Sequence, residues 1–175
     1  MRTLLLGLAL LVAAPSTQAL AKGGVAAKTS KKASTPGPDP NAAVAKAHGG
    51  KVWILTGTPP STEGDDLSKW LASHPSVGEV TKKPNEERWP VTLIAVFKKP
   101  PAKGPVTVEI VDKKDPRTLV DQFSPPAAAE SVVFQEPYDL ETNNGFNKGH
   151  SYLIKVGQII KGKFISYATG EVSLK

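Results

Sequence analysis

Gly149-His150-Ser151-Tyr152-Leu153 sets a histidine beside a serine, the two residue types that acyl transfer through a hydroxyl nucleophile requires. A nucleophile elbow needs a second Gly where Leu153 stands and a strand-to-helix turn around the serine. Here the serine stands where a turn enters a strand, so a hydrolase site is not expected. Asp139-Leu140-Glu141-Thr142-Asn143-Asn144-Gly145 offers oxygen ligands at alternate positions. A calcium helix-loop-helix requires Gly at the sixth position and Glu at the twelfth; counted from Asp139 these are Asn144 and His150. The Asp139-Gly145 loop is therefore either a looser calcium site or an ordinary polar turn. His48, His74 and His150 fall in a linker, a helix end and a turn, with no chelating spacing. The chain has no cysteine, which excludes a thiolate nucleophile, a disulfide and a Cys metal ligand. No catalytic, cofactor or metal residue is expected.

Aromatic side chains are the other chemistry available, because an exposed indole can stack on a sugar ring. Trp70 falls on a helical apolar stripe and Trp53 within an apolar run, positions that suit a core. Trp89, which follows Asn85-Glu86-Glu87-Arg88 and precedes Pro90, is placed at a strand mouth and is the candidate ligand-binding aromatic.

The elements that must hold these residues are mostly strands. Lys51 to Thr56 is a β-prone run halted by Gly57 and Pro59-Pro60. Gly64 to Ser73 reads as one short helix: Asp65 or Asp66 can accept from the free N–H groups at its start, and Leu67, Trp70 and Leu71 form one stripe. Val91 to Phe97 is apolar on both faces, which suits a strand in mid-sheet with a partly covered outer side. Val106, Val108 and Ile110 alternate with polar residues, as in a half-buried strand. Thr118 to Val120 and Ser131 to Phe134 give two further strands. Tyr152, Ile154 and Val156 lead to a turn at Lys161-Gly162-Lys163 and a return through Ile165, Tyr167, Val172 and Leu174. Gly170 marks a bulge or a close backbone approach.

Phe97-Lys98-Lys99-Pro100, with the Gly-containing loop and the strand after it, resembles the end of the second strand of fibronectin type III domains. Phe146 to Val156 is similar to that family's sixth strand, where a turn Gly precedes a Tyr and an alternating apolar run. The resemblance spans roughly residues 90 to 175. It implies an immunoglobulin- or fibronectin-III-like antiparallel β-sandwich with one short helix near residues 65–73. In it Tyr152 is the corner tyrosine, its hydroxyl bonding back to upstream backbone, and Phe97 is the core aromatic. The usual Trp is replaced by Phe97, and the third strand lacks the family's Tyr. Such a fold does not specify a function.

Met1 to Ala21 has the build of a secretory signal peptide: Arg2, an apolar run from Leu4 to Ala14, and small residues at Ala19 and Ala21. The run is too short for a bilayer span, and a lipid anchor would need a Cys at the cut. The net charge of +6 is unevenly placed. Residues 22–50 hold five lysines against Asp39 alone, a balance of +4, whereas residues 51–175 hold 16 basic against 15 acidic residues. The expected organisation is a signal peptide at 1–21, a disordered basic linker at 22–50 and a β-sandwich domain at 51–175.

The function expected on these grounds is that of an exported, soluble, non-catalytic binding or structural accessory protein, of bacterial type, periplasmic or secreted. Its partner would be a protein or envelope component, with weak anionic-surface contact through the basic linker, no nucleic acid and no membrane insertion. A carbohydrate-binding module using Trp89 and Trp53 is the alternative, and an enzyme the second alternative.

Overall fold

The computed structural model describes residues 40–61, 63–125 and 131–175. The signal-peptide reading and the greater part of the linker reading lie outside the described residues.

In chain order the elements are α1 (Ala42–His48), β1 (Lys51–Leu55), α2 (Gly64–Ser73), β2 (Glu79–Val80), β3 (Arg88–Val96), β4 (Thr107–Asp112), β5 (Leu119–Phe123), β6 (Val133–Glu141), β7 (Ser151–Ile160) and β8 (Lys163–Leu174). A single 3-10 turn, Thr142–Asn144, follows β6. The strands form one sheet in the order β5-β4-β7-β8-β1-β3-β6, with β2 beside β8. The β8 pairings with β1 and β2 are parallel; the other pairings are antiparallel.

The mostly-β class is what the structure has. The strands are not divided into two separate antiparallel sheets, because β8 bonds β7 along one side and both β1 and β2 along the other. Gly170 makes this junction possible: a Cβ there would overlap the Val52 carbonyl oxygen and lie 2.9 Å from Val52 Cβ. It is the close backbone approach that an isolated Gly in a strand signals.

The sheet curls until its two outermost strands meet through side chains. Tyr138 on β6 stacks on Phe123 of β5, ring centroids 4.4 Å apart, and its hydroxyl donates to Asp121. Burial first, then the Asp121 hydrogen bond and the nearby carboxylates, push the Tyr138 phenol above the usual tyrosine range. Tyr138→Phe keeps the stack and removes the hydrogen bond to Asp121. It is expected to lower stability by about 1 to 2 kcal/mol, read as a shift of the urea midpoint.

Inside the curl lies the main core, with Trp89, Val91, Leu93 and Ala95 from β3 facing Val108 and Ile110 from β4 and Ile154 and Val156 from β7. A second core lies on the other side of β1 and β3, where Trp53, Leu55, Ile94 and Val96 meet Val44 of α1 and Leu67 and Leu71 of α2. The apolar runs of β1 and β3 are thus buried on both faces, which a strand between two cores requires.

Two sequence expectations are corrected here. The domain begins upstream of Lys51, since α1 is folded and Val44 is fully buried; an Ala-rich helix needs only one large apolar residue to anchor it when Ala itself favours the helix. The start of α2 is capped from α1, not from within, because the Gly64 N–H donates to Asn41 Oδ1 at 3.0 Å and Glu63 makes no side-chain cap bond. Asp65 and Asp66 contribute charge to the first turn, where the helix dipole favours it.

Candidate functional site

The candidate site is the end of the sheet carried by the β7–β8 hairpin. Lys161 and Gly162 form its two-residue turn with φ of 51° and 74°, the pair of positive φ values that matches the twist of the flanking strands. Of the large apolar side chains exposed among the described residues, three belong to this hairpin: Ile159 at 51 %, Ile160 at 36 % and Ile165 at 43 %. The register pairs Ile159 with Phe164 and Ile160 with Lys163. Since side chains alternate along a strand and cross-strand partners share a face, Ile159 and Ile160 point to opposite faces of the tip.

The β3–β4 loop packs beside this hairpin. Gln158, buried at 3 % exposure, donates through Nε2 to Ala102 O at 2.8 Å and Gly104 O at 3.3 Å, and its Oε1 accepts from the Tyr167 hydroxyl at 3.3 Å. Tyr167 in turn meets Phe97 edge-on at 6.0 Å. Gln158→Ala leaves these carbonyls without their donor and is expected to cost about 2 kcal/mol. Faster amide exchange confined to residues 98–106 would show that the loop is what it holds.

This end is basic. Lys98, Lys99 and Lys103 stand in the loop, Lys161 and Lys163 in the hairpin turn, and Lys51 at the start of β1, while residues 97–108 and 155–169 contain no acidic residue. Among the described residues none of these six lysines has a carboxylate within 4.0 Å. The ion pairs that join separate elements cluster at the opposite end: Arg88 to Asp139 at 2.7 Å, Lys113 to Glu171 at 2.5 Å and Lys175 to Glu79 at 3.4 Å. A groove of about 590 Å³ runs between the loop and β8, lined by Lys98, Lys99, Pro101, Ser166, Tyr167 and Thr169 among others.

The residues singled out from sequence lie elsewhere. Trp89 is 1 % exposed, and its indole N–H donates to Lys175 O at 3.0 Å. It is corrected from a ligand-stacking aromatic to a core residue, because it shares the inward face of β3 with Val91, Leu93 and Ala95. Trp53 is buried in the second core, with His48 edge-on at 5.2 Å. Trp70 is half-buried and stacks on His74 at 4.4 Å. Phe97 is fully buried, and the Tyr152 hydroxyl accepts the backbone N–H of Asn147, five residues upstream, at 2.7 Å.

Asp139 is held by Arg88, and among the described residues no group of three or more His, Asp or Glu is arranged to hold a metal ion. Ser151 Oγ lies 2.7 Å from Ser173 Oγ, whereas the adjacent His150 turns its Nδ1 to Asp112 Oδ2 at 2.5 Å. Burial raises the Asp112 carboxyl, but the His150 hydrogen bond and the Lys114 N–H outweigh it and leave the group below the ordinary aspartate range. A folded-state value below the unfolded one stabilises the protein above the unfolded value, about pH 4, and that contribution is lost as pH falls through the folded value. Asp112→Asn is therefore expected to lower the melting temperature at pH 6 and to lose less than the parent on going to pH 3, as thermal melts at both pH values would show.

No protein-family model, curated protein or solved structure matches the chain. The hairpin end was missed in the sequence because Ile159, Ile160 and Ile165 read as ordinary strand residues. The available signal was an adjacent Ile pair beside Lys161-Gly162-Lys163.

Proposed function

We propose that this protein acts by binding, as an exported, non-catalytic accessory or structural component, and that its contact surface is the β7–β8 hairpin end. The observation that carries this reading is that, among the described residues, Ile159, Ile160 and Ile165 are exposed at the hairpin tip and Leu119 is the one other exposed large hydrophobic side chain. Each keeps roughly half or less of its surface in water, which forgoes about 1 kcal/mol apiece, and apolar side chains gathered on both faces of one tip point to an interaction site. The build of Met1 to Ala21 supports export.

Kinship with fibronectin type III domains is part of the same proposal. The Tyr152 corner bond and the burial of Phe97 support it; the parallel β1–β8 and β2–β8 pairs are what such a kinship has to accommodate.

Cell fractionation tests the functional reading. The protein is expected in the envelope fraction of the exporting cell, and I159S/I160S/I165S is expected in the soluble fraction. A parent and variant that fractionate alike would remove the hairpin as the contact surface.

A further inference from the structure

We propose that the hairpin end docks on the surface of an anionic phospholipid bilayer, the Ile tip entering the interface and the surrounding lysines meeting lipid phosphates. This inference rests on the reading of the hairpin end as the contact surface and names what it contacts.

Apolar side chains stand on both faces of the tip: Ile159 with Phe164 on one, Ile160 and Ile165 on the other. A flat protein partner covers one face of a two-stranded ribbon and leaves the other wet. A bilayer interface surrounds an inserted tip on all sides, so both faces lose contact with water together. The turn residues between the isoleucines are Lys161, Gly162 and Lys163. Long lysine stems lie along apolar surface while their ammonium groups stay at the polar boundary, which suits a shallow insertion and opposes passage through the hydrocarbon.

Charge complementarity gives the sign of the surface. Lys51, Lys98, Lys99 and Lys103 stand at the same end of the sheet as the tip, free of carboxylate partners among the described residues. The groove beside Lys98 and Lys99 also carries Thr169, a hydroxyl donor of the kind that binds phosphate oxygens, whereas the Ser166 hydroxyl donates to Ala168 O at 3.3 Å. Apolar burial together with several basic residues near an anionic leaflet is the combination that gives firm but reversible binding to a membrane surface.

The test is cosedimentation of the chain beginning at Lys22 with phosphatidylcholine vesicles, with and without an equal part of phosphatidylglycerol. Binding is expected only to the mixed vesicles and to weaken with added salt. K161E/K163E is expected to bind at least about tenfold more weakly, and I159S/I160S/I165S to sediment little, both with the parent's melting temperature. Equal binding to both vesicle types, or no binding to either, would overturn the proposal. So would retention of full affinity in the Ile variant with matching affinity for soluble polygalacturonate, which would make the ligand any polyanion. A parent that dimerises in solution through the same isoleucines without binding vesicles would make a second copy the occupant and overturn it too. If vesicle binding fails while the Ile variant still leaves the envelope fraction, the bilayer is wrong and the contact surface stands; if both experiments fail, both fall.

Discussion

Trp89→Ala is expected to lower the stability of the domain by about 4 kcal/mol, a large share of what a domain of this size has in total. The indole is the largest of the fully buried side chains. It sits where β3 meets the last residue of the chain, and its N–H holds the Lys175 carbonyl at 3.0 Å. Truncation leaves a cavity between β3 and β8 and removes the donor from that carbonyl. Lys82 adds its ammonium over the indole ring at 5.2 Å, a contact worth about 0.5 to 1 kcal/mol when partly exposed. Urea unfolding measures the loss, and Trp89→Phe is expected to recover about half of it. A sugar-stacking Trp89 would behave in the opposite way, with little change in midpoint and loss of glycan binding. A cost below about 1 kcal/mol would contradict the placement of this residue in the core.

Gly170→Val is expected to be nearly as damaging, at about 3 kcal/mol or more. The added carbons meet backbone and not a flexible side chain: the Val52 carbonyl carbon is 3.2 Å from the position a Cβ would take, and Val52 Cβ is 2.9 Å from it. The parallel β1–β8 pairing is a single bridge, Lys51 to Thr169, and it joins the β5-β4-β7-β8 half of the sheet to the β1-β3-β6 half. Forcing these strands apart opens both cores at once, because β1 contributes to each. The check is the urea midpoint of Gly170→Val, with Gly170→Ala measured alongside Gly162→Ala as the matched pair. The turn glycine at φ 74° has nothing near its missing Cβ, so it carries only the backbone penalty of about 1 kcal/mol. A Gly170 variant no worse than the Gly162 variant would show that the two halves are not joined by close backbone contact at that point.

These two residues also show what the sequence made legible. The period of two through Trp89, Val91, Leu93 and Ala95 assigns Trp89 to the core side of its strand, but the charged run before it drew the reading toward exposure. Local hydrophilicity lost to alternation, because the register of β3 is fixed by the buried residues that follow. Gly170 was read correctly as an anomaly within a strand, whereas the strand it approaches lies more than a hundred residues upstream and leaves no local mark. α2 was legible in both bounds, since Leu67, Trp70 and Leu71 fall at helical spacing and Pro75 stops the run. β6 was read as ending at Phe134, although it continues to Glu141. Glu136, Pro137 and Asp139 break the apolar pattern, and an edge strand tolerates both Pro and charge. α1 was read as linker because its apolar content is one valine among alanines, and the core that valine enters is built by α2, β1 and β3.

The candidate site was the least legible part. A hairpin turn and an alternating pattern predict where Ile159, Ile160 and Ile165 sit in sequence, but whether anything packs over them depends on the three-dimensional path of every other element. The lysines of the β3–β4 loop join them because that loop leads into β4, which pairs with β7 at Thr107 and Gly157, and because Gln158 bonds the loop carbonyls.

The absence of cysteine allows the hairpin claim to be tested at one atom. Ile160→Cys carrying a polarity-sensitive dye is compared with Lys114→Cys, at the opposite end of the sheet, on addition of phosphatidylglycerol vesicles. A blue shift at position 160 with none at position 114 is the predicted result. No shift at position 160, or the same shift at both positions, would contradict docking through the hairpin end.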